Sequence, residues 1–380
     1  MNAVRFLFTW AAVEPARGSH DLAYLAAVAE RVRWAGEAGL LVVMDMHQDL
    51  YGEGFAGGDG APRWTCDASH YAAFRPRDPW FLGYFDPNVV ACFDGLWTSV
   101  DLQEHAAGAW RAVARVLANQ PWVVGFDVLN EPFMGSTLVD EFEPHYLQPF
   151  YETVVEAVRG EAPGWVAFLE PSSTRNGGVA TRLRPFPFPD VAYAPHSYDS
   201  QAEAGQAFDV AHRQQVLDHL SAVAAEARAL GAALWVGEYG GTGTTPGIGP
   251  YMDAEYDGMA AALAGGAYWH HGKDTGYGLL NPDGSEKTAL LDAVVRPAPA
   301  RLAGRPTSWT YDDETRVLEV TWEPDPLVTA PSEFLVPARP YPHGFQVTCD
   351  GCRVEVRGVV VEVWPPPGAA VARVTVRPQP

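Results

Sequence analysis

Read for its hydrophobic and polar positions, the chain alternates unbroken apolar runs with stretches of helical period from its start to about residue 295. This pattern predicts parallel strands joined by crossover helices. Strands are expected at Val4 to Thr9, Leu40 to Met46, Val123 to Leu129, Val166 to Leu169, Val191 to Ala194, Ala233 to Val236 and Ala267 to Trp269. Helices are expected at Leu22 to Ala38, Leu102 to Ala118, Tyr146 to Arg159, Gln206 to Leu230, Tyr251 to Ala264 and Glu286 to Val295. After "RPAPARLAGRP" the texture changes to short alternating runs such as "TRVLEVTWE", "SEFLVP", "FQVTC", "RVEVRGVVVEVW" and "ARVTV". They predict a small antiparallel β-sandwich. The expected domains are 1–296, a barrel, and 297–380, the sandwich. In the sandwich, packing is the favoured reading of Trp309, Trp322 and Trp364 over a sugar-binding face.

Leu50 to Trp97 fits neither texture. It has little period but many aromatics, among them Trp64, Tyr71, Phe74, Trp80, Phe81, Tyr84, Phe85 and Phe93. Long connections are usually functional or disordered, and this aromatic density disfavours disorder, so a folded cap is expected.

The strands share a feature at their carboxyl ends, each finishing on a polar or aromatic group. These are Trp10 with Glu14, then Asp45, His47 and Asp49, then Asn130 with Glu131, then Glu170, His196 with Tyr198, Glu238 with Tyr239, and Trp269. In a (β/α)8 barrel the strand ends converge on one face, where active sites lie. Singly, Asp45 or Glu170 reads as a carboxylate bonded to loop backbone and His47 as a satisfied buried histidine; together they read as a site. Ending a doubly buried strand on an ionised group is unfavourable unless its surroundings use it. Two strands do so, in "GFDVLNEP" and "LWVGEYGG". Paired carboxylates at a barrel mouth are the machinery of glycoside hydrolysis.

The ordered set "NEP", "HSY", "GEYG" and "YWHH" resembles the retaining β-glycosidases of glycoside hydrolase family 5. "FTWAAVEPARG", "VVMDMHQDLYG", "GDGAPRW" and "GFDVLNEPFMGS" are most similar to the endoglycoceramidase-like members. The resemblance covers residues 1 to about 295, and the trailing β domain is also what those relatives carry. It implies a (β/α)8 TIM barrel followed by a small antiparallel β-sandwich. It further implies Glu131 as acid/base, Glu238 as nucleophile and Asn130 at the sugar 2-hydroxyl. His47 and Asp49 would bind other hydroxyls, His196 and Tyr198 would line the nucleophile, and Trp269 would be the platform under the sugar. Family members carry a strand and helix before the segment equivalent to "NAVRFLFTW". The first βα unit is therefore expected to be missing here, and a chain extended upstream is expected to be more stable.

Charge narrows the ligand. A net charge of -21 argues against nucleic acid and against electrostatic binding to an anionic membrane surface. No apolar run reaches the length of a bilayer span, and "MNAVRFLFTW" reads as a strand rather than a secretory signal. The expected partner is a glycolipid or other β-glycoside with glucose-type sugar and amphipathic aglycone. A polysaccharide hydrolase and a non-catalytic carbohydrate-binding protein are the alternatives. No cofactor is expected and no metal, since adjacent His270 and His271 rarely face one ion. "GGTGTTPGIGP" lacks the Gly-Lys-Ser/Thr ending of a phosphate loop. Of four cysteines, Cys66 and Cys92 lie in the cap and either clamp it or stay free. Cys349 and Cys352 flank Asp-Gly, which predicts a two-residue hairpin stapled by a disulfide.

Overall fold

The computed structural model describes residues 1–379. Seven parallel strands form one sheet in chain order: β1 (Ala3–Phe8), β2 (Leu41–Met46), β3 (Val123–Asp127), β4 (Val166–Leu169), β5 (Val191–Tyr193), β6 (Ala233–Tyr239) and β7 (Gly265–Tyr268). This is the TIM-barrel class with seven strands. Burial explains the apolar runs: in β2 every residue from Val42 to Met46 is buried, as expected of a parallel strand covered on both faces. The helix Val100–Leu117 buries Ala106, Ala107, Ala109, Trp110, Val113, Ala114 and Leu117, the three- and four-residue spacing of a single covered face.

Eight further strands follow: β8 (Ala298–Arg301), β9 (Gly304–Asp312), β10 (Val317–Pro324), β11 (Ser332–Leu335), β12 (Phe345–Thr348), β13 (Arg353–Arg357), β14 (Val360–Trp364) and β15 (Ala372–Pro378). They make two four-stranded sheets, ordered β12-β15-β10-β9 and β13-β14-β11-β8, whose pairings are antiparallel. In β10, Leu318, Val320 and Trp322 point into a core with Phe334, Val361, Val363, Val374 and Val376, while Glu319 and Thr321 alternate outward. Trp322 is core, Trp309 packs against that core, and Trp364 lies under the Arg353 guanidinium.

Three local details differ from the expected runs. β8 and β9 begin within the Pro-rich stretch that precedes the first expected alternating run; both are edge strands, where a residue without an N–H is tolerated. Cys349 and Cys352 form a disulfide, but the turn they flank is not a hairpin, because it carries the chain from β12 in one sheet to β13 in the other. The helix expected from Gln206 starts at Arg213, after a short 3-10 turn (Val210–His212) capped by Asp209, whose carboxylate accepts from Ala211 N at 2.9 Å.

The segment from Leu50 to Trp97 is folded. It contains the helices Ala68–Ala73 and Pro87–Thr98 and a 3-10 helix over Trp80–Phe85, with Cys66 bonded to Cys92. Phe55 packs edge-on to Tyr71 and Phe74, and Phe93 contacts Tyr51, Tyr84 and Phe133.

The described chain divides into two compact units. One comprises Ala3–His196 with Ala225–Gly237. The other comprises Met1–Asn2, Ser197–Ala224 and Glu238–Pro380.

Candidate active site

In the first unit, consecutive strands deliver charged side chains to one another. β1 contributes Arg5, the single charged residue in its apolar run, and it is buried. Its Nε donates to Asp127 Oδ2 at 2.9 Å. Its Nη2 lies 3.0 Å from Asp45 Oδ1, 2.8 Å from Glu170 Oε1 and 3.0 Å from Asn130 Oδ1. Asp45 and Asp127 are register partners on β2 and β3, and Glu170 follows β4 directly. One guanidinium thus serves three buried carboxyl groups, and the excess of acid has a consequence. Burial, followed by the charge of Glu170, pushes Asp127 well above the usual carboxylate range despite the pull of Arg5.

His47, two residues beyond Asp45, shares its face of β2. Its Nδ1 lies 2.9 Å from Asp45 Oδ2 and its Nε2 lies 3.5 Å from Asn130 Nδ2 and 3.7 Å from Asp49 Oδ2. The strand alternation that buries Met44 and Met46 on the other face places these two polar groups together. Gln48 donates through Nε2 to the carbonyls of Asn130 and Glu131, both at 3.0 Å, tying the β2 loop to the β3 loop.

Glu131 has a backbone φ of 41°, in the left-handed region that a non-glycine residue rarely adopts. Its N–H donates to Glu170 Oε2 at 2.8 Å. Its Oε1 accepts from Asn176 Nδ2 at 2.6 Å and lies 2.8 Å from His196 Nδ1, and the side chain is 18% exposed. The second nitrogen of His196, Nε2, lies 3.2 Å from Glu170 Oε1. Burial alone would raise the Glu131 carboxyl, but the hydrogen bond and charge of His196, the hydrogen bond from Asn176 and the charge of His47 hold it below its usual range.

In the second unit, Glu238 on β6 is buried, and Tyr198 donates its hydroxyl to Glu238 Oε2 at 3.0 Å. Ser197 N donates to the Glu238 carbonyl at 2.9 Å while its hydroxyl donates to Glu255 Oε1 at 3.1 Å. Glu255 lies on the helix Ile248–Ala262 and is fully buried, which pushes its carboxyl up to about 8 against the hydrogen bond from Ser197. Trp269 follows β7 and is anchored by its N–H to the Tyr239 carbonyl at 2.8 Å.

The residues singled out in the sequence therefore fall into two groups: His47, Asp49, Asn130, Glu131 and His196 in one unit, and Tyr198, Glu238 and Trp269 in the other. Within its unit His196 bonds to Glu131 and Glu170. Arg5, Gln48 and Asn176 join the site without having been expected from the sequence. A lone arginine inside an apolar strand is the available signal for Arg5; nothing in the loop sequence "TRNGG" marks Asn176.

The chain matches two family models, "Cellulase (glycosyl hydrolase family 5)" over residues 1–274 and "Glycoside hydrolase family 5 C-terminal domain" over 296–376. It is similar to endoglycoceramidase I of Rhodococcus hoagii (strain 103S), 26% identical over 376 residues covering 93% of this chain and 73% of that protein. It is also similar to endo-glycoceramidase II from Rhodococcus sp. Solved with ganglioside GM3, that structure has a TM-score of 0.90 and 31% identity, covering 100% of this chain and 90% of that one. The same enzyme as a lactosyl-enzyme intermediate gives 0.89 and 32%, covering 100% and 89%. A glucosylceramidase of Aspergillus fumigatus is 28% identical over 247 residues, covering 52% of this chain and 32% of that protein.

Proposed function

The chain belongs to glycoside hydrolase family 5, and from that premise we propose that it is a retaining β-glycosidase releasing a glucose-type sugar or a longer headgroup from an amphipathic aglycone. Relatives that act on glycosylated ceramide support the substrate class, and the lactosyl-enzyme state of one of them supports double displacement. One observation about this chain carries the reading. The 3-10 helix Trp80–Phe85 places Tyr84 OH 3.4 Å from Asp49 Oδ1 and 3.3 Å from Gln48 Nε2, among groups suited to sugar hydroxyls. The same helix leaves Trp80 48% and Phe85 67% exposed. A polar headgroup site bordered by apolar side chains suits a substrate with one polar and one apolar end.

In the proposed mechanism Glu238 attacks the anomeric carbon while Glu131 protonates the departing oxygen. Glu131 then takes a proton from the water that releases the sugar. Tyr198 stabilises the ionised nucleophile. Asn130 meets the 2-hydroxyl, His47 and Asp49 meet other hydroxyls, and Trp269 lies under the ring. The domain reading is a catalytic domain over 1–296 and a sandwich over 297–380.

The test is hydrolysis of glucosylceramide, a longer-headgroup glycosphingolipid and an aryl β-glucoside in detergent by the wild type, Glu131→Gln and Glu238→Gln. The released product separates endo from exo cleavage. Soluble β-glucan cleaved far faster than any glycolipid would overturn the aglycone assignment in favour of a polysaccharide hydrolase.

A further inference from the structure

Glu131 poses a problem for its proposed role: a group that must deliver a proton is held toward its ionised form. The geometry around it resolves the conflict. Glu170 accepts from Arg5 Nη2 at 2.8 Å and from Glu131 N–H at 2.8 Å, both of which require an ionised or acceptor oxygen. Its Oε1 then faces His196 Nε2 at 3.2 Å, so that nitrogen must carry a hydrogen. With Nε2 committed, Nδ1 has two states. It carries a second hydrogen and donates to the Glu131 carboxylate, or it is bare and accepts from a protonated Glu131, across the same 2.8 Å.

We infer that Glu170 is a positioning residue which fixes the His196 tautomer, so that Glu131 and His196 hold one transferable proton between them. The inference rests on the proposed acid/base role of Glu131. In glycosylation the leaving oxygen takes that proton through the Glu131 carboxyl group as the glycosidic C–O bond breaks and the nucleophile's C–O bond forms. What remains is a Glu131 carboxylate facing the bare Nδ1 of a neutral imidazole, a repulsive contact that makes the pair a stronger base. The water that attacks the glycosyl-enzyme loses its proton to this pair, and the original state returns. Within the same unit, Arg5, Asp45, Asp127 and His47 are charged or titratable groups linked to this chain of bonds. Of these, Arg5 binds Glu170 directly, Nη2 to Oε1 at 2.8 Å. Glu170 also holds the left-handed backbone of Glu131, so its second hold acts on the position of the acid.

Glu170→Gln tests this. The amide presents N–H groups as well as an oxygen, and with the oxygen claimed by Arg5 or Glu131 N–H it turns His196 to the other tautomer. We expect an alkyl β-glucoside, which needs its leaving oxygen protonated, to lose about 10- to 100-fold in kcat/KM. The pre-steady-state burst from 2,4-dinitrophenyl β-glucoside, whose leaving group needs no proton, should change less than about threefold. The pH profile for the alkyl substrate should also move. Equal losses on both substrates with an unmoved profile would show a merely structural role, and no loss on either would remove the role altogether; both overturn the inference.

The second measurement needs no turnover. Imidazole 15N spectra of the wild type, with His196 assigned by comparison with His196→Gln, should show a protonated Nε2 from about pH 5 to 8. A bare Nε2 overturns the inference even if Glu170→Gln fails to fold. A wild type that hydrolyses no glycoside refutes the proposed function, while the spectra still decide the tautomer.

Discussion

Two carboxylates each end a strand of one sheet, but different chemistry surrounds them. Glu131 stands among ionic groups: His196 and Asn176 at its oxygen, Glu170 at its backbone, and Arg5 binding Glu170, Asp45 and Asp127 behind. Glu238, within its own unit, meets the Tyr198 hydroxyl, a serine N–H at its carbonyl and, beyond Ser197, a Glu255 carboxyl that burial raises to about 8. A hydroxyl donor steadies a permanent anion, which suits a nucleophile. Titratable partners let a carboxyl gain and lose a proton within one cycle, which suits an acid/base. The groups that each carboxylate meets within its own unit fit the proposed roles.

The largest effect should come from breaking the pair itself. Glu131→Gln and Glu238→Gln are each expected to lower kcat on a glycolipid by about 10³ or more, but to part company on 2,4-dinitrophenyl β-glucoside. Glu131→Gln should still release a burst of dinitrophenolate and Glu238→Gln should not. If both lost the burst, the difference between the two regions would not be a difference of role.

Next in size is the cation at the centre of the ionic region. Arg5→Met leaves three buried carboxyl groups without their guanidinium and should lower the unfolding free energy by roughly 3–5 kcal/mol, measured by urea denaturation. Ser197→Ala, which removes one neutral hydrogen bond on the other side, should lower it by about 1–2 kcal/mol. Equal losses would mean that the charge cluster contributes no more than ordinary hydrogen bonding.

Tyr198→Phe keeps the ring and removes the donor to Glu238. A drop in kcat of about 10-fold, with the fold intact by circular dichroism, is expected for the loss of one hydrogen bond to a charged group. An unchanged kcat would detach the hydroxyl from the nucleophile.

The smallest effect concerns Glu255. Its folded value of about 8 lies above the ordinary 4.5, so the folded state favours the neutral form. The stability this contributes is fully present below about pH 4.5 and is lost as pH rises through 8. Wild-type Tm should fall by a few degrees between about pH 6 and pH 9, and Glu255→Gln should flatten that slope. A parallel slope in the variant would place the titration elsewhere.

Much of this contrast is legible in the sequence. The runs ending in Asn130-Glu131 and Glu238 declare themselves because an acid at the end of an apolar strand is anomalous, and the nearness of Asp45 to His47 follows from strand alternation. Glu170 by itself reads as a carboxylate bonded to loop backbone. It does accept from Glu131 N–H, but it also meets Arg5 and His196, residues 165 and 26 positions away. Periodicity reports which face a residue occupies and not which strand ends converge, so the Arg5 cluster and the placement of His196 against Glu131 lie beyond it. The edge strands β8 and β9 are hidden for a different reason. An edge tolerates Pro299 and Pro306, and those prolines imitate a linker.

The cap raises a practical matter of production. Cys66 and Cys92 are 26 residues apart, and their bond closes a loop that includes the exposed Trp80–Phe85 turn, whereas Cys349 and Cys352 close a turn of three and constrain little. If that turn receives the aglycone, enzyme made under reducing conditions would keep its action on soluble aryl glycosides and lose its action on lipids. The quotient of those two activities would then serve as an assay of batch quality, reporting how much of a preparation has its cap correctly oxidised.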